Sequence, residues 1–504
     1  MSTLATDNIL SKNRQSHLLH FVLSEKANKR FLLIAILGGV VQFSIFKILY
    51  PFPDFISDSY SYISTNLYDM KVNLWPIGYS KFILFIHFIT SSHVFLVWIQ
   101  YLILEVALLY FFFSVLYLFS LSKTNRTILF IFLFFNPAFL YLSNCVLSDA
   151  LFSAITLVLL TLQFRMYRYP SLSNIILQAL LIGVAFMLRY TAIYYPFVSL
   201  IAIFLSGYKL PVKLVGIAGP WIIILPFIIY TQQRTKEVTG TAEFSVFGGW
   251  QLANNALYMY PHITVDSTKI PDDIRVLDRM ARNYFIKVPP EYRVLESVEG
   301  TYFIKVPNAI LKPYMFARYD FEDAPGQFVS WGKVSPIYKK YGSYLIREHP
   351  IAFARYYLWL NTKNYFIPYL EKFGFYNVGE NSVGDPVVKW FKLKNNIVSL
   401  VPSIEFQGTV FFIYPYLFLI LNIFFAASLV YSLLTGAYKR CTGHQKFGII
   451  VAVAFLLLNF AFSVFATPVV LRYQIVPMIL LLTFSLVLSE RIDQEEVKRK
   501  RQVI

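Results

Sequence analysis

Five ionisable side chains stand in or beside long apolar runs: Asp58 in PDFISDSYSYIS, Glu105 in IQYLILEVALLY, Asp149 in NCVLSDALF, Arg189 in FMLRYTAIYYP and Arg472 in TPVVLRYQIVP. A charge costs about 2.5–3.5 kcal/mol at the centre of an inserted helix, which makes each of them a functional candidate. A carboxylate with aromatic neighbours, as Asp58 has in Tyr60 and Tyr62, becomes a better proton acceptor when it is partly desolvated. Its structural alternative is a helix cap, and the same alternative applies at Ser148 and Asp149. Glu105 lies inside a run, where no cap is needed. It is either a site group or a carboxyl neutralised or paired within a bundle. Arg189 and Arg472 each offer a planar donor fork suited to phosphate, or else anchor a helix end or pair with an acid.

The elements that must position these groups follow from composition. Of 504 residues, 57% are hydrophobic, 18% aromatic and only 14% charged, against roughly 25% charged in a soluble domain. A soluble protein is excluded, and continuous rather than alternating apolar runs exclude a transmembrane β-barrel. The chain reads as an all-α polytopic membrane protein, with about ten transmembrane helices at 31–51, 94–120, 127–145, 149–167, 174–189, 191–208, 211–230, 408–434, 446–466 and 470–489. Its excess of 45 Lys and Arg over 28 Asp and Glu, net +17, falls mostly in short turns such as Lys123 with Arg126, Arg165 with Arg168 and Lys439 with Arg440. The C-terminal Lys498–Arg501 stretch adds to it. The positive-inside rule then predicts both termini in the cytoplasm, and the basic excess is a topology signal rather than a nucleic-acid face. The first run follows Lys26, Lys29 and Arg30, lacks a small-residue cleavage site and is long enough to remain as an anchor. The run 75–90 is expected as a helix in the outer interface, with Trp75 and Tyr79 at headgroup depth.

This topology divides the chain into a cytoplasmic segment 1–30, a transmembrane core 31–230 with a first outer loop 52–93, an extracytoplasmic segment 231–407 between spans seven and eight, C-terminal helices 408–489 and a basic tail 490–504. The 231–407 segment has nearly balanced charges and aromatic stretches punctuated by Pro and Gly, and is expected to be a mixed soluble domain. The repeated YFIKVP at 284–289 and 302–307 predicts two similar strands of one hairpin or sheet. Within it, GGWQLANNALYMY carries Trp250, Asn254 and Asn255, and amides suit sugar hydroxyls. Cys145 and Cys441 are placed near opposite membrane faces, too far apart to bridge. Nucleotide-binding, zinc-protease, dithiol and serine-elbow motifs are absent. Asp58, Asp149, Arg189 and Arg472 come from four separate stretches, yet the topology delivers all four to one outer face. There they could handle a lipid-linked phosphate and a polar acceptor.

Five stretches in order carry a resemblance: ISDSYSYIS with WPIGYSKFI, FFNPAFLYLSNCVLSDALF, VAFMLRYTAIYYP, REHPIAFARYYL and ATPVVLRYQIVPMIL. The chain resembles the polyprenol-phosphate-sugar-dependent glycosyltransferases of the GT-C class, the group that holds the protein O-mannosyltransferases and the lipid A aminoarabinose transferase. The similarity covers roughly 31–230 and 340–489. It implies a catalytic, proton-accepting role for Asp58, donor-phosphate binding by Arg189 and Arg472, and acceptor or metal positioning by Asp149, with Glu105 as a further candidate. Trp250, Asn254 and Asn255 are the candidate sugar-contact loop. Two acids near a phosphate could hold a divalent cation or simply orient the acceptor, and both readings stay open. The implied partners are a polyprenyl-phosphate-linked sugar, a glycan, lipid or protein acceptor, and membrane lipids, with no nucleic acid. The implied location is a bacterial inner membrane. A lipid or solute transporter is the competing class, against which stand the lack of paired broken helices and the clustering of charge at one face. A non-catalytic scaffold is the third.

Overall fold

The computed structural model describes residues 18–297, 300–398, 401–466 and 468–503. Asp7 in the N-terminal segment and residue 467 in the last of the five stretches lie outside them, as do the side chains of the Lys498–Arg501 tail. An apolar run inside a bilayer has no water to bond its amides, so it closes its hydrogen bonds within itself as a helix. Accordingly, 77% of the structure is helical, and no strand forms among the described residues.

Eight helices are long and apolar enough to cross a membrane: Lys26–Leu49, His93–Phe119, Lys123–Asn144, Asp149–Met166, Leu210–Thr239, Glu405–Leu434, Gly443–Phe465 and Leu471–Asp493. The chain is an all-α, multi-pass integral membrane protein. The stretches 174–189 and 191–208, expected as two further spans, form the shorter apolar helices Leu172–Leu188 and Tyr190–Leu205, which lie outside these eight. Arg189 separates them, with an extended backbone at φ −150° and ψ 128°. The 75–90 run forms the 12-residue helix Gly78–Ile89, too short to span at 1.5 Å per residue. At its start, a Cβ on Gly78 would overlap the Met187 carbonyl. Glycine thus lets this helix press against the turn that presents Arg189.

Burial ranks the spans. Only 17% of the apolar stretch is buried in Lys26–Leu49 and in Leu210–Thr239, against 83% in Asp149–Met166 and 78% in Leu471–Asp493. The helices that carry Asp149 and lead on from Arg472 are therefore the centre of the bundle, and the other two are its rim. Leu210–Thr239 also runs past the expected boundary at 230, because nothing ends it before Gly240 at φ 80°. Its last turn meets the polar segment, where Thr241 Oγ1 donates to the Gly332 carbonyl at 3.1 Å.

The expected mixed domain and its paired strands are corrected. The first YFIKVP ends the helix Asp272–Lys287, and the second forms the single turn Tyr302–Lys305. The upstream spacing of Ile274, Leu277 and Ala281, all buried on one helical face, overrides a six-residue alternation too short to pair without a partner strand. A second core gathers here, around Trp250, Leu277, Phe303, Phe328, Tyr338 and Tyr341. Its two main helices, Phe247–Leu257 and Ala324–Glu348, cross closely because Gly249 lies on Ser335 and Gly342 on Leu252, with no room for a Cβ at either.

Two isolated parallel bridges tie distant stretches together: Asp54 with Cys145, and Tyr369 with Val470. In the first, Asp54 N donates to the Asn144 carbonyl at 3.0 Å and Val146 N to the Asp54 carbonyl at 3.1 Å. In the second, Leu471 N donates to the Tyr369 carbonyl at 2.8 Å. Cys145 and Cys441 are both free and buried.

Candidate active site

The bridges set the register of the site. Asp58 and Asp149 each lie four residues beyond the Asp54–Cys145 bridge, and Glu371 and Arg472 each lie two beyond the Tyr369–Val470 bridge. Parallel strands advance in step, so two acids arrive together from the first bridge, and an acid and an arginine from the second.

Neither Asp58 nor Asp149 serves as a cap. At the start of Ser57–Leu67 the Ile56 amide donates to Ser59 Oγ at 3.0 Å, which leaves the Asp58 carboxylate to accept from Ser57 Oγ at 3.4 Å and to face Arg472. Ser148 holds the cap position of Asp149–Met166 without a side-chain bond to the helix, and Asp149 is turned to the arginines. Its Oδ1 meets Arg189 Nη1 at 2.5 Å and its Oδ2 meets Arg472 Nη1 at 3.0 Å.

Arg472 is the hub. Its Nη1 faces Asp149, its Nε faces Glu371 Oε2 at 3.1 Å, and its Nη2 lies 3.8 Å from Asp58 Oδ2, so one fork addresses three carboxylates from three segments. Arg189 reaches this group through one nitrogen. Its guanidinium lies over the Tyr473 ring at 4.3 Å, and that of Arg472 lies 4.5 Å from the same ring. Such packing holds two like charges close without direct contact. Glu371 also takes Lys305 Nζ at 2.9 Å, and does so with a left-handed backbone, φ 50°. A non-glycine residue held there stores strain of the kind found at functional sites.

The electrostatics separate Asp58 from Glu371. Burial pushes the Asp58 carboxyl above its usual range and Glu371 pushes the same way, while Arg472 pulls against them. Burial acts on Glu371 as well, but Arg472, Lys305 and Lys372 together overcome it and hold that carboxyl down to about 2. Glu371 is a fixed anion that orders the cations, and Asp58 is the acid with proton affinity to use.

Two cavities meet at this cluster. One of about 180 Å³ runs between spans, with Arg189 and Asp149 at its polar end and Phe152, Phe455, Phe462 and Val476 along its walls. The other, of about 690 Å³, opens on the polar segment between the helix Ser57–Leu67, Thr301, Lys305, Trp331 and Lys372. Asp58, Trp75, Phe247, Arg472 and Tyr473 border both.

The structure thus brings Asp58, Asp149, Arg189 and Arg472 together and leaves four other candidates out. Glu105 borders neither cavity and instead bonds Tyr101, one turn away on its own helix. Trp250 is buried against Trp331, with ring centroids 4.0 Å apart, and donates to the Trp331 carbonyl. Asn254 donates to the Gly300 carbonyl and accepts from Phe303 N, and Asn255 donates to the Phe465 carbonyl. Asn254 ties parts of the polar segment together and Asn255 braces that segment on the bundle, and both are fully buried, with no free face for a sugar. On the same helix, Phe247 and Gln251 are the residues that border the inter-span cavity. Glu371, Lys305, Lys372 and Tyr473 were not singled out by sequence. Tyr473 alone carried a signal, as the neighbour of Arg472. A divalent cation does not fit these acids: the Arg472 guanidinium occupies the position between Asp58, Asp149 and Glu371. No group of three or more His, Cys, Asp or Glu with metal-ligand geometry forms among the described residues.

Fold and site define an all-α polytopic membrane protein with a buried acid–arginine cluster between two cavities. In comparison, the chain matches no protein-family model, no curated protein and no solved structure.

Proposed function

We propose that this chain is an inverting glycosyltransferase, similar to the GT-C polyprenyl-phosphate-sugar enzymes, that moves a sugar from a polyprenyl-phosphate carrier to an acceptor hydroxyl at the outer membrane face. The observation that carries the reading is the junction. A cavity walled by apolar spans and ended by Arg189 meets a wider polar cavity, and Asp58 stands where they join.

The chemistry follows from that placement. The carrier's isoprenoid chain stays among the spans while its phosphate faces Arg189, whose remaining donors and charge stabilise the anion that departs. The acceptor oxygen attacks the anomeric carbon from the polar side as the bond from that carbon to the phosphate oxygen breaks. The electron pair leaves with the phosphate, Asp58 takes the acceptor's proton, and the configuration inverts. Phosphate is a stable leaving group, so no second acid is needed to protonate it, unlike glycoside hydrolysis. Asp149 and Glu371 hold the arginines in place. With the short basic turns inside, both termini are cytoplasmic, in a bacterial inner membrane. A transporter would instead place its binding site near the midplane between repeats.

The test is transfer from labelled polyprenyl-phosphate sugars in membranes that contain the wild-type chain or Asp58→Asn at equal expression. Labelled product from the wild type and none from the variant is expected. Equal transfer by both, or no product from any donor, overturns the reading.

A further inference from the structure

The polar cavity is the larger of the two, and its lining discriminates among acceptors. Its four cations are Lys305, Lys312, Lys372 and Arg472, and its four acids are Asp58, Glu322, Asp323 and Glu371, so its net charge is zero. Several of these are already engaged. Lys305 holds Glu371, Lys312 Nζ donates to the Lys305 carbonyl at 2.9 Å, and Asp323 Oδ1 caps the helix Ala324–Glu348 by accepting from Gly326 N at 2.7 Å. A wall of this kind offers no excess cation to a polyanionic head group. No strand edge exists among the described residues to receive an extended peptide by backbone pairing.

What the cavity does offer is aromatic faces and uncharged polar groups. Trp75, Phe247 and Trp331 follow one another along one side. Ring centroids of Trp75 and Phe247 are 5.1 Å apart, and Phe247 and Trp331 are nearly parallel, 10° between planes, at 6.4 Å. Trp331, 8% exposed, is stacked at 4.0 Å on the fully buried Trp250 and backs the half-buried rings of Trp75 and Phe247. Trp75 and Phe247 border both cavities, so the wall passes the junction where Asp58 stands. Among the described residues no cation lies over these ring faces, whose negative quadrupole attracts the polarised C–H face of a pyranose. Beside the wall, Thr301 is 3% exposed, and its Oγ1 has no partner among the described residues although it borders the cavity. An unpaired buried hydroxyl costs free energy that a ligand hydroxyl would restore. Gln327 adds an amide with both donor and acceptor capacity.

We infer that the acceptor is a neutral saccharide, which stacks on the Trp75–Phe247–Trp331 wall and bonds Thr301 and Gln327 while it presents a hydroxyl to Asp58. This rests on the transferase reading for the chemical step, but not for the binding. At about 690 Å³ the cavity falls within the range that encloses most of a drug-sized ligand, a size that suits a short oligosaccharide end rather than a whole polymer.

The experiment uses the full chain in lipid nanodiscs with two readouts. Saturation-transfer NMR against neutral di- and trisaccharides of glucose, galactose, mannose and N-acetylglucosamine reports binding without transfer. The labelled product formed in membranes is tested separately for protease release and for retention on an anion exchanger. At least one saccharide is expected to bind the wild type, about tenfold more weakly in Trp75→Ala and near normally in Trp75→Phe, which keeps a ring face and guards against a folding defect. The product is expected to resist protease and to pass the exchanger. Lack of binding by every saccharide, binding indifferent to Trp75→Ala, or label on a peptide or a polyanion overturns the inference. Saccharide binding without any transfer sinks the transferase reading and leaves the site standing. Transfer to protein or to an anionic lipid, without saccharide binding, does the reverse.

Discussion

Under the proposed reaction, replacing Asp58 by Asn separates catalysis from stability. Asp58 has one ionic contact, 3.8 Å from Arg472 Nη2, with a gross attraction of roughly 4 kcal/mol at an effective dielectric of about 20. The several kcal/mol of desolvation per buried ion offsets this, and the upward push on its carboxyl marks burial as the stronger influence. A carboxyl raised in the folded state makes the fold less stable as pH climbs past its unfolded value, so an uncharged Asn at neutral pH leaves stability equal or slightly higher. Activity behaves in the opposite way. Loss of a general base costs about 10²–10⁴ in rate, or roughly 2.7–5.4 kcal/mol at 1.36 kcal/mol per decade. Transfer rates and melting temperatures measured on the same nanodisc preparations give both numbers. Retention of more than about a tenth of the wild-type rate, or a clear drop in melting temperature, would refute the assignment of Asp58 as the base.

The neighbouring positions give contrasting outcomes. Asp149→Asn removes a carboxylate paired with both arginines at 4% side-chain exposure and is expected to cost about 3–5 kcal/mol in thermal or denaturant unfolding, with activity lost as a consequence. Glu371→Gln removes the carboxylate charge that Lys305 and the Arg472 Nε share but keeps the Asp149 pair. A smaller loss, about 3 kcal/mol, is expected at neutral pH, and because the carboxyl titrates near 2 the wild type should keep this advantage down to pH 4 in melting curves. Asp54 is 1% exposed, and burial raises it to about 7, against bonds from Gln407 and the Asn377 amide. Its folded value exceeds the unfolded one, so stability falls as pH rises from about 4 to 7, by roughly 4 kcal/mol at 1.36 per unit. Asp54→Asn should flatten that slope and melt higher than wild type at pH 8. Gly78→Ala forces the Gly78–Ile89 helix off the Met187 carbonyl and displaces both Trp75 and the Arg189 turn. Transfer should fall by about tenfold or more while the chain still inserts, and normal activity would show that this contact does not position the site.

Four members of the cluster could be read from sequence because charges are scarce near apolar runs, so position alone singles them out. Glu371 could not. It lies in a stretch where acids are common, and only the Tyr369–Val470 bridge, across about a hundred residues, delivers it to Arg472. Composition misled at Asn254 and Asn255, since an amide that fits a sugar hydroxyl fits a backbone carbonyl equally well, and the carbonyls of Gly300 and Phe465 were nearer. At Glu105 the sequence left two readings open, and the structure supplies the polar partner of the second, a tyrosine one helical turn away. The helical class follows from hydropathy, but the break at Arg189, which turns one expected boundary into the presentation of a side chain, depends on what Gly78 packs against.

The convergence on Arg472 also fixes when, during synthesis, the site is complete. Asp58, Asp149 and Arg189 are translated and inserted early, and for some three hundred residues thereafter Asp149 has a single arginine for company. Until the segment around 472 enters the membrane, Glu371 lacks its bridge strand, and the inter-span cavity lacks the wall formed by Tyr473, Val476 and Pro477. A chain caught midway therefore carries the acid without the chamber that would feed it. A nascent protein built in this order has no completed site until nearly every span has found its place.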